Sequence, residues 1–89
     1  MEKKTIKITD RNGLHLRVAG EVVNICKKHK AKVVFSTCKS CEEADGCSVL
    51  SLLLLQVQKG TELIIKAEGP DAKVVIDEVD NYFSQGSGI

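Results

Sequence analysis

Two apolar rhythms alternate along this chain, and their order limits the folds open to it. Ile6 and Ile8 alternate with Thr5, Lys7 and Thr9, the period of a half-buried strand over residues 3–9. Asp10-Arg11-Asn12-Gly13 breaks that pattern with turn residues. From residue 16 to 29 the period becomes helical, with Ala19, Val22, Val23 and Cys26 on one stripe and Lys27 and Lys28 at the negative end of the helix dipole. Gly20 is the weak point of this helix, costing up to about 1 kcal/mol relative to Ala unless it serves close packing. Residues 32–36, Lys-Val-Val-Phe-Ser, read as a strand.

Residues 37–46 lack a clear period and predict a loop, with at most a ragged edge strand. Ser48 is placed to cap a short Leu-rich helix running to about Leu54, followed by Lys59-Gly60 as a breaker. Alternation returns over 61–67. Gly69-Pro70-Asp71 then opens a last helix carrying Ala72, Val75, Ile76, Val79 and Phe83 on one face. Residues 84–89 read as a frayed tail. The order is β-α-β-(β)-α-β-α, and the economical packing is α+β, an antiparallel sheet with helices on one face.

Composition narrows function. The chain has 89 residues, expected to form one domain over 1–89, with a formal charge of +1. Such a charge gives little long-range attraction to nucleic acid. No apolar run approaches the roughly 20 residues of a membrane helix. The N-terminus lacks the apolar core of a signal peptide, so a cytoplasmic location is expected. There is no Trp, one Tyr and two Phe, so aliphatic side chains must fill a thin core.

The segment richest in chemistry is Asn12-Gly13-Leu14-His15-Leu16-Arg17-Val18-Ala19. A histidine stands where a turn hands over to a helix. The first helical N–H groups have no intrahelical acceptor and, with the dipole, form an anion site. The backbone of Leu16, Arg17 and Val18 would supply that cradle, and the Arg17 guanidinium matches phosphate geometry. An imidazole can accept a phosphoryl group and release it again. The same residues also fit a plainer use, a histidine cap beside a solvated arginine.

Gly13-Leu14-His15-x-Arg17-x-Ala19 closely resembles the active-site motif of HPr, the histidine-containing phosphocarrier of the bacterial sugar phosphotransferase system. The resemblance extends over nearly the whole chain, including the serine opening the second helix and Gly60-Thr61-Glu62 before the last strand. It implies an open-faced β-sandwich, four antiparallel strands covered on one face by three helices in βαββαβα order. It implies that His15 is phosphorylated at Nδ1 by Enzyme I, with phosphoenolpyruvate as ultimate donor, and that Arg17 assists the phosphohistidine. Ser48 matches the serine phosphorylated by HPr kinase/phosphorylase in some bacteria. Leu16, Val49, Leu50 and Leu53 fall in the apolar patch that docks Enzyme I and sugar-specific enzyme II components. Such a carrier is a protein co-substrate rather than a turnover catalyst. It requires no cofactor, inserts in no membrane, binds no nucleic acid and is expected to be a monomer.

The chain also departs from the family pattern. Leu16 replaces the usual small residue after the histidine, and Val18 the usual Pro after the arginine, restoring an N–H to the first turn. Leu54 stands where the family is commonly polar and Ser51 where it commonly has Gly. These changes bear on partner fit and transfer rate.

Four cysteines are foreign to the family pattern. Cys38-x-x-Cys41 lies in a loop two residues longer than usual, with Cys47 further on. These three thiols could hold zinc or another thiolate-bound metal, close a redox disulfide, or be incidental. Cys26 completes the apolar helix stripe and reads as a small core side chain. In the family the first two long strands run the same way, so the Cys38–Cys41 loop would lie at the His15 end and could modulate partner access. An HPr-like regulatory module acting through Ser48 or these cysteines is therefore the alternative to a sugar-transport carrier. His29, between lysines, reads as a solvated helix end, and Glu42 and Glu43 as a solvated loop.

Overall fold

Strand alternation interleaved with helical stripes requires a sheet with one dry face. The computed structural model, which describes residues 1–8, 13–37 and 40–84, shows how that face is covered. The elements are β1 (Glu2–Lys7), α1 (Leu16–Lys28), β2 (Lys32–Thr37), β3 (Ser40–Asp45), α2 (Val49–Leu54), β4 (Glu62–Glu68) and α3 (Ala72–Ser84). The four strands form one antiparallel sheet in the order β1-β4-β2-β3.

β4 is the centre of the sheet and carries the clearest alternation, with Leu63, Ile65 and Ala67 buried. Their register partners continue the dry face: Ile6 opposes Leu63, Phe35 opposes Ile65 and Val33 opposes Ala67. Onto it pack Val18, Ala19, Val22, Val23 and Cys26 of α1, Leu52 of α2, and Ala72, Val75, Ile76, Val79 and Phe83 of α3. Burying a side chain the size of Val, Leu or Phe stabilises the fold by about 1.5–3 kcal/mol, so this aliphatic layer compensates for the scarcity of aromatics. The two helical stripes expected from the sequence are the two that face the sheet.

Some expectations need correction, and the alternative left open at Gly20 is decided. Residues 40–45 form a full edge strand, joined to β2 by a register shift between Ser36 and Thr37; Glu42 and Glu43 are exposed strand residues, and Glu43 lies 3.8 Å from Lys66 across the sheet. Pairing with β2, with Ala44 buried opposite Phe35, makes this strand despite its weak internal pattern. Gly20 serves no close packing, since a Cβ there would meet nothing within 4 Å. Ser84 belongs to α3, its Oγ donating to the Asp80 carbonyl at 2.6 Å; the rest of the expected tail, 85–89, lies outside the described residues.

Ion pairs tie α3 to its neighbours. Lys4 reaches Asp80 at 2.6 Å. Glu78 is shared by Lys28 and His29, each at 2.8 Å. His29 is thus half-buried and paired across to α3, not solvated. The hydroxyl of Tyr82 donates to Glu21 of α1.

Candidate functional site

β1 and β2 both run antiparallel to β4, so their C-terminal ends and the start of β4 share one end of the sheet. The chain leaving β1 there must turn back into α1. Residues 9–12 of the turn lie outside the described residues, but its exit is fixed by main-chain contacts. Gly13 is left-handed at φ +66°, and a Cβ on it would stand 2.2 Å from the Val57 carbonyl oxygen. Only glycine permits both the conformation and the approach. The next amide, Leu14 N–H, donates to that same carbonyl at 3.0 Å, and the Leu14 side chain is buried. The entry to α1 is thereby laid against the segment leaving α2.

His15 follows as the N-cap residue, with extended backbone (φ −97°, ψ 178°). Its carbonyl accepts the first intrahelical bond, from Ala19 N–H at 2.8 Å. Its ring makes no capping bond to the helix. The amides of Leu16, Arg17 and Val18 therefore lie ahead of the intrahelical ladder, at the positive end of the α1 dipole. Val18 is fully buried, and anchors the first turn to the core. Leu16, 67% exposed, and Arg17 stay on the outside, beside a half-buried imidazole. The chemical capacity of this arrangement is that of an anion cradle with a nitrogen nucleophile at its mouth.

α2 begins where the sequence places it. Ser48 Oγ accepts the Ser51 N–H at 3.3 Å, and Ser48 N–H donates to the Asp45 carbonyl at 3.1 Å. The helix ends at Leu54, before Gln56 turns left-handed at φ 54°, so Lys59-Gly60 belongs to the following turn. Leu50 is 67% exposed and Leu54 65%, while Val49 and Leu53 are partly packed on the core. Leu52 alone of this helix is fully buried. A groove lined by Glu42, Glu43, Ser51, Leu54 and Leu55 separates α2 from β3. Of the expected docking residues, Leu16 and Leu50 present apolar surface outright, and Leu54 adds to it.

Of the expected cysteine set, only Cys47 has a described side chain. Cys38 lies outside the described residues, and Cys41 is placed in β3. Thr37, the last residue of β2, pairs with Leu63 at the His15 end of the sheet, as the expected strand directions require. Cys47 is half-buried against the core. Among the described residues no three His, Cys, Asp or Glu side chains gather as a metal site. Val57, whose carbonyl positions the histidine loop, carries no sequence signal beyond the glycine it faces.

Comparison with known proteins agrees with this geometry. The family model described as the PTS HPr component phosphorylation site matches residues 2–85. The phosphocarrier protein HPr of Vibrio cholerae is 34% identical over 79 residues, covering 89% of this chain and 91% of that protein. The phosphocarrier protein NPr of Escherichia coli is 30% identical over 84 residues, covering 94% and 92%. In fold, the chain is similar to HPr-C-His from Thermoanaerobacter tengcongensis, with a TM-score of 0.92, 24% identity and coverage of 100% and 98%. No helix among the described residues is long and apolar enough to cross a membrane. Sequence agreement over most of its length, carried on the same fold, makes this chain a member of the HPr family, the phosphocarrier proteins of the phosphotransferase system.

Proposed function

We propose that this chain accepts a phosphoryl group on His15 from phospho-Enzyme I, with phosphoenolpyruvate as ultimate donor, and passes it to sugar-specific acceptor proteins. The observation that carries this reading is the place of His15, the N-cap residue at the mouth of α1. In the transfer the imidazole Nδ1 lone pair attacks phosphorus, the N–P bond forms, and the bond to the donor breaks. The amides of Leu16, Arg17 and Val18 meet the phosphoryl oxygens, and the exposed Arg17 guanidinium adds charge from outside. No turnover is needed, because the next acceptor reverses the same step.

Docking falls to the exposed leucines beside the site, Leu16 and Leu50, with the partly packed Val49 and Leu53. A small apolar surface suits a shuttle, whose complexes must dissociate between donor and acceptor. Ser48 is the regulatory position in this reading. A phosphate there would replace a neutral cap by a charged one ahead of α2 and next to that surface.

Intact mass after incubation with Enzyme I and phosphoenolpyruvate tests the proposal. One acid-labile phosphoryl group, absent from His15→Ala, is the expected result. A folded wild-type chain that gains nothing from an active Enzyme I would overturn it.

A further inference from the structure

α1 and α2 are in contact. The start of α1 is tied to the segment leaving α2 by the Leu14–Val57 hydrogen bond. Cys26 lies in the last turn of α1, and Cys47 lies at the entry to α2. Gly46 fixes that entry against β2, its N–H donating to the Val33 carbonyl at 2.8 Å and its Cα so close that a Cβ would come within 2.9 Å of the Val33 side chain. Val33 itself lies near the start of β2, a short connection beyond the end of α1. Cys26 is fully buried in the core, and Cys47 is half-buried against the same core; both are free thiols. Burial above all, with smaller through-space contributions from Cys47 and Asp45, pushes the Cys26 thiol up to about 12.

We infer that Cys26 and Cys47 form an oxidisable pair, a modification site that joins the last turn of α1 to the N-terminal entry of α2. The oxidant is a hydroperoxide. The accessible Cys47 sulfur attacks its terminal oxygen; an S–O bond forms, the O–O bond breaks and an alcohol or water leaves. The Cys26 sulfur then displaces the hydroxyl from Cys47; an S–S bond forms, the S–O bond breaks and water carries off the Cys26 proton. Two thiols are oxidised and one peroxide is reduced. Cys26 is the slow partner, because so little of it is thiolate at neutral pH. As a poor leaving thiol it also makes the bond slow to reduce. Cys47, expected from spacing to act with Cys38 and Cys41, is thus assigned a partner on the first helix.

The test uses the full chain with Cys38→Ser and Cys41→Ser, reduced and then treated with hydrogen peroxide. The expected product is a monomer lighter by two hydrogens, whose non-reducing digest contains a peptide joining Cys26 to Cys47. Before oxidation, Cys26 should react with iodoacetamide more slowly than Cys47, because burial keeps its thiol protonated. Sulfinic acid at Cys47 with Cys26 still reduced, or a disulfide-linked dimer, would overturn the assignment. The unsubstituted chain, oxidised and digested in the same way, decides independently of how the double variant folds. A link from Cys47 to Cys38 or Cys41 in place of Cys26 refutes the pairing.

Discussion

Replacing Gly13 by Ala tests how the site is built. In the left-handed region an L-residue costs about 1–2 kcal/mol relative to glycine. The added Cβ would also lie 2.2 Å from the Val57 oxygen and 2.8 Å from the Gln58 Cα, both main-chain atoms with no rotamer to give way. The two segments must separate, and the 3.0 Å Leu14–Val57 hydrogen bond is stretched or lost, at about 1 kcal/mol. Together these predict a loss of about 2–4 kcal/mol, a large part of the stability of a small domain. At about 4–8 °C per kcal/mol, the midpoint of thermal unfolding should fall by at least about 8 °C. Gly20→Ala is the matched control. It adds the same methyl to open space within α1 and should stabilise by about 0.5–1 kcal/mol. The assay is urea unfolding followed by far-ultraviolet circular dichroism, paired with the rate of phosphoryl uptake from Enzyme I. A Gly13→Ala variant within about 0.5 kcal/mol of wild type would refute the reasoning, because the contact would then be soft.

Other expectations follow from single contacts. Leu52→Ala should cost about 2–5 kcal/mol in urea unfolding and Leu50→Ala less than about 0.5 kcal/mol, whereas only Leu50→Ala should weaken binding to Enzyme I at unchanged stability. Ser48→Ala removes the acceptor of the Ser51 N–H and should cost about 0.5–1 kcal/mol, toward the low end because that bond is 3.3 Å long. Hydrogen bonds from Lys28 and then His29 hold the Glu78 carboxyl below the usual carboxylate range. Its contribution to stability is therefore present above that range and lost as the pH falls through the lower folded value. Its side chain is 37% exposed, so the effect should stay under about 1 kcal/mol. Glu78→Gln should remove it, seen as a flatter stability profile under acid titration.

Periodic elements were legible in the sequence because their burial is set locally. In α1 and α3 every expected stripe residue faces the sheet, and in β4 the alternation is complete. β3 was obscure because an edge strand whose sequence does not alternate clearly owes its conformation to pairing with β2, where Ala44 is buried opposite Phe35. His29 was misread for a similar reason, as its partner Glu78 lies 49 residues further on in another helix. At the site, the helix-capping position of His15 was readable from a turn meeting a helical period. The carbonyl that Gly13 touches was not, because a main-chain atom leaves no mark in the residue type that carries it.

The histidine is held in place by atoms that every amino acid shares: the Gly13 Cα, the Leu14 amide, the Val57 carbonyl and its own carbonyl bonded to Ala19. The side chains around it are consequently at liberty to drift. Leu16 and the surface leucines of α2 can be exchanged without shifting the reactive ring. A lineage built this way can change whom it meets while leaving untouched what it carries.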